Sequence, residues 1–167
     1  MFIRENLTSP LMDSIMKFVS FLGNGGLIWL AISLVFVFSK RTRKWSIFIW
    51  ISMIMGLFFG NLILKNLFAR IRPYDLYNVP IIIAHPSDYS FPSGHTLSSF
   101  AAAIALYKCN KKYGTIALAF AAVMGFSRMY LFVHYPTDIL GGIVLAFVMV
   151  FFAERTIDFV EKKLKKI

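Results

Sequence analysis

Long apolar stretches constrain the fold of this chain more than any other feature of its sequence. Several of them approach or exceed the roughly 20 residues that an α-helix needs to cross a bilayer. With 58% hydrophobic and only 16% charged residues, the chain of 167 residues is too apolar for a soluble globule. We therefore predict an all-α, integral membrane helical bundle forming one domain over residues 1–167. The predicted spans are residues 27–38, 45–64, 95–107, 113–128 and 139–152.

The two ends of the chain are predicted to be amphipathic rather than spanning. Residues 7–22 place apolar side chains on one helical face and Asp13 and Lys17 on another. This pattern predicts a helix lying in the membrane interface, and a sixth, short span is the alternative. Residues 154–167 are basic and amphipathic, which is typical of a solvated helix beside anionic lipid.

The distribution of positive charge predicts the membrane topology. Most of the 18 Lys and Arg residues lie in two short loops, at residues 40–44 and 108–112, and in the C-terminal tail. Five spans place these segments on one side, which the positive-inside rule assigns to the cytoplasm. Residues 65–95, residues 128–138 and all three histidines then face outward, so we predict a multi-pass cell-membrane protein with an extracytoplasmic active site.

The charge pattern argues against a nucleic acid partner, and the cysteine content argues against a disulfide and a cysteine metal site. The net charge of +10 is not arranged as a basic stripe interleaved with stacking aromatic residues, so nucleic acid binding is not predicted. Cys109 is the single cysteine in the sequence, which excludes an internal disulfide and a cysteine pair for a metal ion.

The segment at residues 127–138 places Arg128, His134 and Asp138 between two apolar runs. Ionisable groups at the edge of a span are costly unless they are paired or used, so they indicate function. Pro136 suits the first turn of a helix, which puts His134 just before that helix and Asp138 inside its first turn. The carboxylate can then accept a hydrogen bond from one imidazole nitrogen and leave the other free to attack. The alternative is accidental pairing at a hydrated helix end.

Three cations on the same predicted side of the membrane indicate an anion site. Lys65 and Arg72 join Arg128 with few acidic residues nearby, and the planar fork of arginine suits phosphate oxygens. Taken alone, Lys65 is typical of a lysine extending from a helix end to the interface, and Arg72–Pro73 is typical of a loop. Arg70 is either a contact for a second phosphate or a solvated loop residue.

The segment Ser93–Gly94–His95 follows Pro92 and begins a predicted helix. The free N–H groups and dipole at such a helix start favour an anion, and Gly94 allows close backbone approach. His95 and His134 together provide two imidazoles, one to attack and one to protonate a leaving oxygen. Taken alone, a histidine in a loop is usually only solvated.

The remaining acids and the remaining histidine of residues 65–95, the predicted outer loop, are assigned no function. His85, Asp75 and Asp88 belong to no cluster. Residues 74–91 contain no Lys or Arg, so we predict no elaborate lid for a lipid head group.

Together, the segments around Lys65 and Arg72, at residues 92–95 and at residues 127–138 resemble the signature of a known family. The three motifs of the type 2 phosphatidic acid phosphatase (PAP2) superfamily are similar in order and spacing to three segments of this chain: Lys65-x6-Arg72-Pro73, Pro92-Ser93-Gly94-His95 and Ser127-Arg128-x5-His134-x3-Asp138. Every signature position is filled, within residues 65–138. Many members of the family have six spans, and the first of them is missing from our prediction.

This resemblance implies a lipid phosphatase that needs no metal or other cofactor and works through a phosphohistidine intermediate. It implies that His134 is the nucleophile, that Asp138 orients it and that His95 is the general acid. It further implies that the phosphate is held by Lys65, Arg72, Ser93, Gly94 and Arg128.

The resemblance also ranks the substrates, which are lipid phosphates of the membrane. For a small member it points to undecaprenyl diphosphate first, and then to phosphatidylglycerophosphate or phosphatidic acid. The same superfamily includes soluble vanadium haloperoxidases, but the predicted spans argue against that function. A protein that binds or transports lipid phosphates without catalysis is the alternative from a different class. The sequence leaves the oligomeric state open.

Overall fold

All regular structure in the described part of the chain is helical, which confirms the predicted all-α class. The computed structural model describes residue 3 and residues 6–165. A 3₁₀ turn, Asn24–Gly26, separates the first two helices below, and a π-helical segment, Leu57–Leu64, joins the third to the fourth. The helices are α1 (Pro10–Leu22), α2 (Leu27–Val37), α3 (Arg43–Gly56), α4 (Lys65–Phe68), α5 (Pro73–Leu76), α6 (Gly94–Cys109), α7 (Lys111–Tyr130) and α8 (Pro136–Leu164).

Helix α6 lies at the centre of the bundle, packed against α3, α7 and α8. Asn110 is the one residue between α6 and α7, and its side chain accepts a hydrogen bond from the backbone N–H of Tyr113 at 3.1 Å. This cap starts α7 at once and makes the two helices antiparallel. Small side chains let neighbouring helices approach closely, and the Ala- and Ser-rich α6 lies inside the bundle as predicted. Its fully buried alanines are Ala101, Ala102, Ala103 and Ala105.

Within the described residues, two stretches are long and apolar enough to cross a membrane by themselves. Arg43–Leu76 has 34 residues and a mean hydropathy of 2.2, and Pro136–Leu164 has 29 residues and a mean hydropathy of 2.0. Helix α1 and the segment Asn24–Val37 qualify only as a pair, bent by 51°. This pair is either one broken span or a re-entrant element, whereas we predicted an interfacial helix followed by a span. Each of the five predicted spans lies on a helix, but α6 has only 16 residues. The count of five spans therefore stays a prediction.

Two helices run further than their apolar stretches indicated. Helix α3 continues through the π-helical segment and α4 to Phe68, past the predicted end at residue 64. Helix α8 runs without interruption from Pro136 to Leu164, so it joins the last predicted span to the basic tail at residues 154–167. The last two residues of that tail lie outside the described residues.

Candidate active site

The turn between α7 and α8 holds the imidazole of His134 against the start of α8. Phe132 adopts a left-handed conformation with φ of 60°, which turns the chain back towards the bundle after α7 ends. Pro136 stands at the first position of α8, as predicted, and Asp138 lies in the first turn. The Asp138 carboxylate accepts the backbone N–H of Tyr135 at 2.9 Å through Oδ2. The same oxygen lies 3.4 Å from Nδ1 of His134.

Two further side chains hold the Asp138 carboxylate, which is fully buried. Ser90 donates its hydroxyl to Oδ2 at 2.5 Å, and Arg70 donates Nη1 to Oδ1 at 2.7 Å. The Arg70 guanidinium also lies over the Tyr135 ring, 4.0 Å from its centroid. A buried carboxylate is costly without such partners, so these contacts make its placement tolerable. Arg70 therefore bonds the carboxylate beside His134, a role that the sequence did not suggest.

The second nitrogen of His134 faces the cationic side of the site. Nε2 lies 3.2 Å from Nη1 of Arg72, which also donates to the backbone oxygen of Val133 at 2.8 Å. Burial lowers the pKa of His134 from 6.5 to about 3, the positive charge of Arg72 acts in the same direction, and the hydrogen bond with Asp138 opposes them. The imidazole is therefore neutral at physiological pH, with one nitrogen directed at the carboxylate and the other at the cations.

The three predicted anion-binding cations lie in one buried cluster. Lys65, Arg72 and Arg128 each expose less than 5% of their surface and line the same cavity. Arg72 has an extended backbone just before Pro73, where α5 begins. Arg128 lies in the last turn of α7 and donates Nη1 to the hydroxyl of Ser20, while its buried Nε contacts no acceptor among the described residues. The structure thus brings together cations that are up to 63 positions apart in the chain.

A carboxylate that the sequence left unassigned lies among these cations. Asp88 accepts hydrogen bonds from Nζ of Lys65 and from Nη2 of Arg72. The neighbouring backbone is bonded too, since Lys65 donates to the oxygen of Tyr89 at 3.0 Å and Arg72 donates Nε to the oxygen of Asp88 at 2.8 Å. No sequence motif pointed to Asp88, because a lone acid in a loop carries no spacing signal.

The start of α6 forms the next wall of the site. Ser93 is the N-cap of α6, and its hydroxyl accepts the backbone N–H of Thr96 at 3.4 Å. Its own N–H donates to the backbone oxygen of Asp138 at 3.1 Å, which ties α6 to α8. A β-carbon on Gly94 would lie 3.0 Å from Oδ1 of Asn61, so this close approach favours glycine. His95 follows, with Nε2 at 2.9 Å from Oδ1 of Asn24.

One cavity of about 980 Å³ joins these groups. Six of the eight predicted site residues line it, namely Lys65, Arg72, Gly94, His95, Arg128 and His134. Ser93 and Asp138 lie behind its wall, fully buried. The remaining lining includes apolar side chains such as Phe21, Leu57 and Ile82, which are exposed at the outer surface. The cavity is therefore polar and cationic inside and apolar at its edge.

The N-terminal segment also lines the cavity, which the sequence did not predict. Ser20, Gly23 and Asn24 are part of its wall. A β-carbon on Gly23 would lie 2.7 Å from Cδ2 of His95, so α1 ends in direct contact with that imidazole. Helix α1 thus covers the site in addition to whatever contact it makes with lipid.

Within the described residues, no group of three or more His, Cys, Asp or Glu side chains is placed to hold a metal ion. Metal independence stays a prediction that only a chelator experiment tests.

Comparison with known proteins gives the family. Residues 45–161 match the PAP2 superfamily. Undecaprenyl-diphosphatase BcrC of Bacillus subtilis (strain 168) is 32% identical over 150 residues, covering 90% of this chain and 77% of that protein. An undecaprenyl-diphosphatase of Sulfolobus acidocaldarius is 31% identical over 136 residues, covering 80% of this chain and 65% of that protein.

A solved structure agrees with these relatives. The crystal structure of a transmembrane PAP2-type phosphatidylglycerolphosphate phosphatase from Bacillus subtilis superposes with a TM-score of 0.72 at 27% sequence identity. The superposition covers 93% of this chain and 80% of that one. The match over residues 45–161 contains all eight of the predicted site residues. The chain therefore belongs to the PAP2 superfamily and is a lipid phosphatase of that family.

Proposed function

We propose that this protein removes a phosphate from undecaprenyl diphosphate at the outer face of the cytoplasmic membrane, through a phosphohistidine formed on His134. The observation that carries this proposal is the placement of one buried imidazole between a carboxylate and a cation cluster. Nδ1 of His134 lies 3.4 Å from Asp138, and Nε2 faces Arg72 at 3.2 Å. A neutral imidazole held in this way directs the lone pair of Nε2 at the cations, where the phosphate would bind.

The proposed reaction has two steps. Nε2 of His134 attacks phosphorus and forms an N–P bond while the bond to the bridging oxygen breaks, and His95 gives its proton to the lipid monophosphate that leaves. Water then attacks the phosphohistidine, His95 takes a proton from that water, and breakage of the N–P bond releases inorganic phosphate. Asp138 stabilises the positive charge on the imidazole in between.

The cation cluster supplies the electrostatic part of the mechanism. Lys65, Arg72 and Arg128, whose side chains are buried in the cavity wall, neutralise the charge that develops on the phosphoryl oxygens. Gly94 lies at the start of α6, where backbone N–H groups and the helix dipole favour an anion, and Ser93 caps that helix start from behind the cavity wall. These five residues form the proposed phosphate-binding set.

Two observations support a lipid diphosphate as the substrate. The edge of the cavity is apolar, which suits a lipid chain that enters from the side, and two relatives are named undecaprenyl-diphosphatases. Phosphatidylglycerophosphate is the second candidate, because the superposed Bacillus subtilis structure is described as a phosphatase of that lipid. Phosphatidic acid follows as a third.

The decisive experiment measures phosphate release by the purified full chain in detergent. Undecaprenyl diphosphate, phosphatidylglycerophosphate and phosphatidic acid are compared at equal surface concentration, with and without EDTA. We expect the highest kcat/KM for undecaprenyl diphosphate and no loss of activity with EDTA. Faster release from phosphatidylglycerophosphate would reassign the substrate. A rate that EDTA abolishes and magnesium restores would contradict the metal-independent mechanism. Binding without turnover of any lipid would favour a non-catalytic protein.

The outward orientation of the site, which the positive-inside rule predicts from the basic loops, has a separate test. In a Cys109→Ser background, Pro80→Cys in the outer loop should react with an impermeant thiol reagent in intact cells. Lys112→Cys, in the basic loop, is the matched control and should react only after permeabilisation. Both positions are exposed. The reverse labelling pattern would place the site in the cytoplasm.

A further inference from the structure

The carboxylate of Asp88 occupies the donors that the proposed mechanism assigns to phosphate. Its two oxygens accept hydrogen bonds from Nζ of Lys65 and Nη2 of Arg72, one oxygen for each cation. A phosphate presents pairs of oxygens to ammonium and guanidinium groups in the same manner. Those donors cannot serve both groups at full strength, so Asp88 and a phosphate compete for them.

Asp88 differs from the cations that it contacts in how deeply it is held. The Lys65 and Arg72 side chains are 4% and 3% exposed, whereas the Asp88 side chain is 49% exposed. It belongs to the segment between α5 and α6, which has no regular helix. The cations are therefore fixed parts of the wall, while the carboxylate can turn towards solvent without disturbing the core.

The net positive charge of the cation cluster favours the replacement of the Asp88 carboxylate by a phosphate. Arg128 lines the same cavity and has a buried Nε with no acceptor among the described residues, so one carboxylate does not neutralise the three cations. Burial raises the pKa of Asp88, but the hydrogen bond from Lys65 and the charges of Lys65 and Arg72 outweigh it and hold that pKa below 3.8. Asp88 is therefore a negatively charged competitor for these cations at neutral pH.

We propose that Asp88 sets the affinity of the site for phosphate, by competing with the ligand for Lys65 and Arg72 and turning outward when the ligand binds. This inference rests on the proposed function, because it takes these two cations to be phosphate ligands. Its consequence is twofold. A phosphate ester must displace the carboxylate to bind, and the returning carboxylate helps to expel the inorganic phosphate that the reaction leaves behind.

Competition between Asp88 and phosphate for the same cations predicts how the affinity for different anions changes when the carboxylate is removed. When only a fraction of the molecules has its binding groups available, every ligand of those groups loses affinity by the same factor. Removing the competing carboxylate should therefore strengthen the binding of different anions equally. A carboxylate that merely repels anions from a distance would instead disfavour a dianion more than a monoanion, and salt would screen its effect.

The test compares Asp88→Asn, Asp88→Glu and wild type as purified full-length proteins in detergent. The inhibition constants of inorganic phosphate and of monoanionic dimethyl phosphate are measured during lipid hydrolysis. For Asp88→Asn we expect both constants to fall by about tenfold. This is the change expected if the carboxylate leaves the two cations available in about one molecule in ten of the wild type. The KM should fall with them, and kcat should fall if phosphate release limits turnover. Asp88→Glu keeps the charge and should stay close to wild type.

Asp75→Asn is the matched control. Asp75 is an exposed acid in α5 whose side chain interacts with Tyr74, and its removal changes the net charge by the same amount. It should leave both inhibition constants within a factor of about two, because exposed charges act weakly at a distance.

Four results would overturn the inference. Unchanged constants in Asp88→Asn would mean that the carboxylate does not compete, and higher constants would mean that it helps to assemble the site. A gain confined to the dianion and lost in high salt would reduce Asp88 to a distant charge. Thermal unfolding with added phosphate gives a readout that does not need turnover, since a bound ligand raises the midpoint. If phosphate neither inhibits nor stabilises wild type, the phosphate site itself is wrong, and the inference falls with it.

Discussion

Two parts of this site are built in different ways. The site floor, by which we mean Ser90, Ser93, His134 and Asp138, is buried and bonded within itself, with three of its four residues fully inaccessible to solvent. The N-terminal cover, by which we mean α1, the Asn24–Gly26 turn and α2, reaches the site through a few contacts. They include a hydrogen bond from Arg128 to Ser20, one between Asn24 and His95, and the close approach of Gly23 to His95.

A close contact between two helices positions the floor, whereas the cover packs on the core through α2, whose Trp29 is buried there. A β-carbon on Gly142 would lie 3.0 Å from the backbone oxygen of Ser93, so α8 approaches the start of α6 at a glycine. That approach brings Asp138 beside Ser93 and His134. The cover, by contrast, exposes large apolar side chains such as Leu11 and Phe18. The family match at residues 45–161 contains the floor and begins after the cover. The floor should therefore determine the reaction, and the cover should adjust it.

The largest expected effect comes from the floor, at the proposed nucleophile. His134→Gln should abolish turnover, because no other group replaces the covalent step. Quenching without acid should trap labelled phosphate on wild type and none on the variant. The thermal unfolding midpoint shows whether the variant is folded. Labelled phosphate on protein that lacks His134 would mean that another residue is the nucleophile.

The next largest effect is expected from Asp138, which we propose orients His134. Asp138→Asn should lower kcat by about 10²- to 10⁴-fold, since it disturbs the imidazole tautomer and the stabilisation of its charged form. The KM should change much less, because the cation cluster stays intact. Asp158→Asn, at an exposed acid further along α8, is the matched control and should behave as wild type. A proportionate rise in KM would show that Asp138 acts on binding instead.

A smaller effect is expected from the cover. Asn24→Ala removes the hydrogen bond to His95 and should slow lipid hydrolysis by about three- to tenfold, as the loss of one such bond predicts. If Asn24 positions the general acid, the defect should shrink with p-nitrophenyl phosphate, whose leaving group needs little protonation. Asn66→Ala, at an exposed asparagine bonded to the Leu62 oxygen, is the control. An equal defect with both substrates would make the role of Asn24 purely structural.

The smallest expected change is the response of His134 to pH. Its pKa is lowered to about 3, so the imidazole should stay neutral as the pH falls from 8 to 5, where an ordinary histidine would gain a proton near 6.5. Nitrogen chemical shifts of ¹⁵N-histidine-labelled protein measure this directly, with His134→Gln as the assignment standard. A midpoint near 6.5 for His134 would show that the floor is less buried than the structure places it.

The sequence determined much of this protein because the relevant signals are local. Apolar runs set the helices, and Pro136 set the start of α8 so that His134 and Asp138, four positions apart, had to be neighbours. The resemblance of the three motifs to those of the PAP2 superfamily was also enough to name eight candidate site residues, six of which line one cavity. The helix lengths were less predictable, because α3 and α8 continue past their apolar stretches into polar segments.

The partners of those site residues were decided only by the tertiary structure. Arg70 meets Asp138 across 68 positions, and His95 meets Asn24 across 71. No sequence spacing marked Ser90 as a hydrogen-bond donor to Asp138. Likewise, none marked Asp88 as the carboxylate between Lys65 and Arg72. Helical periodicity and capping depend on neighbours in the chain, whereas these contacts depend on how α1, the outer loop and α8 pack around α6 and α7. Sequence patterns describe residues that are close in the chain, so they do not predict contacts between residues about 70 positions apart.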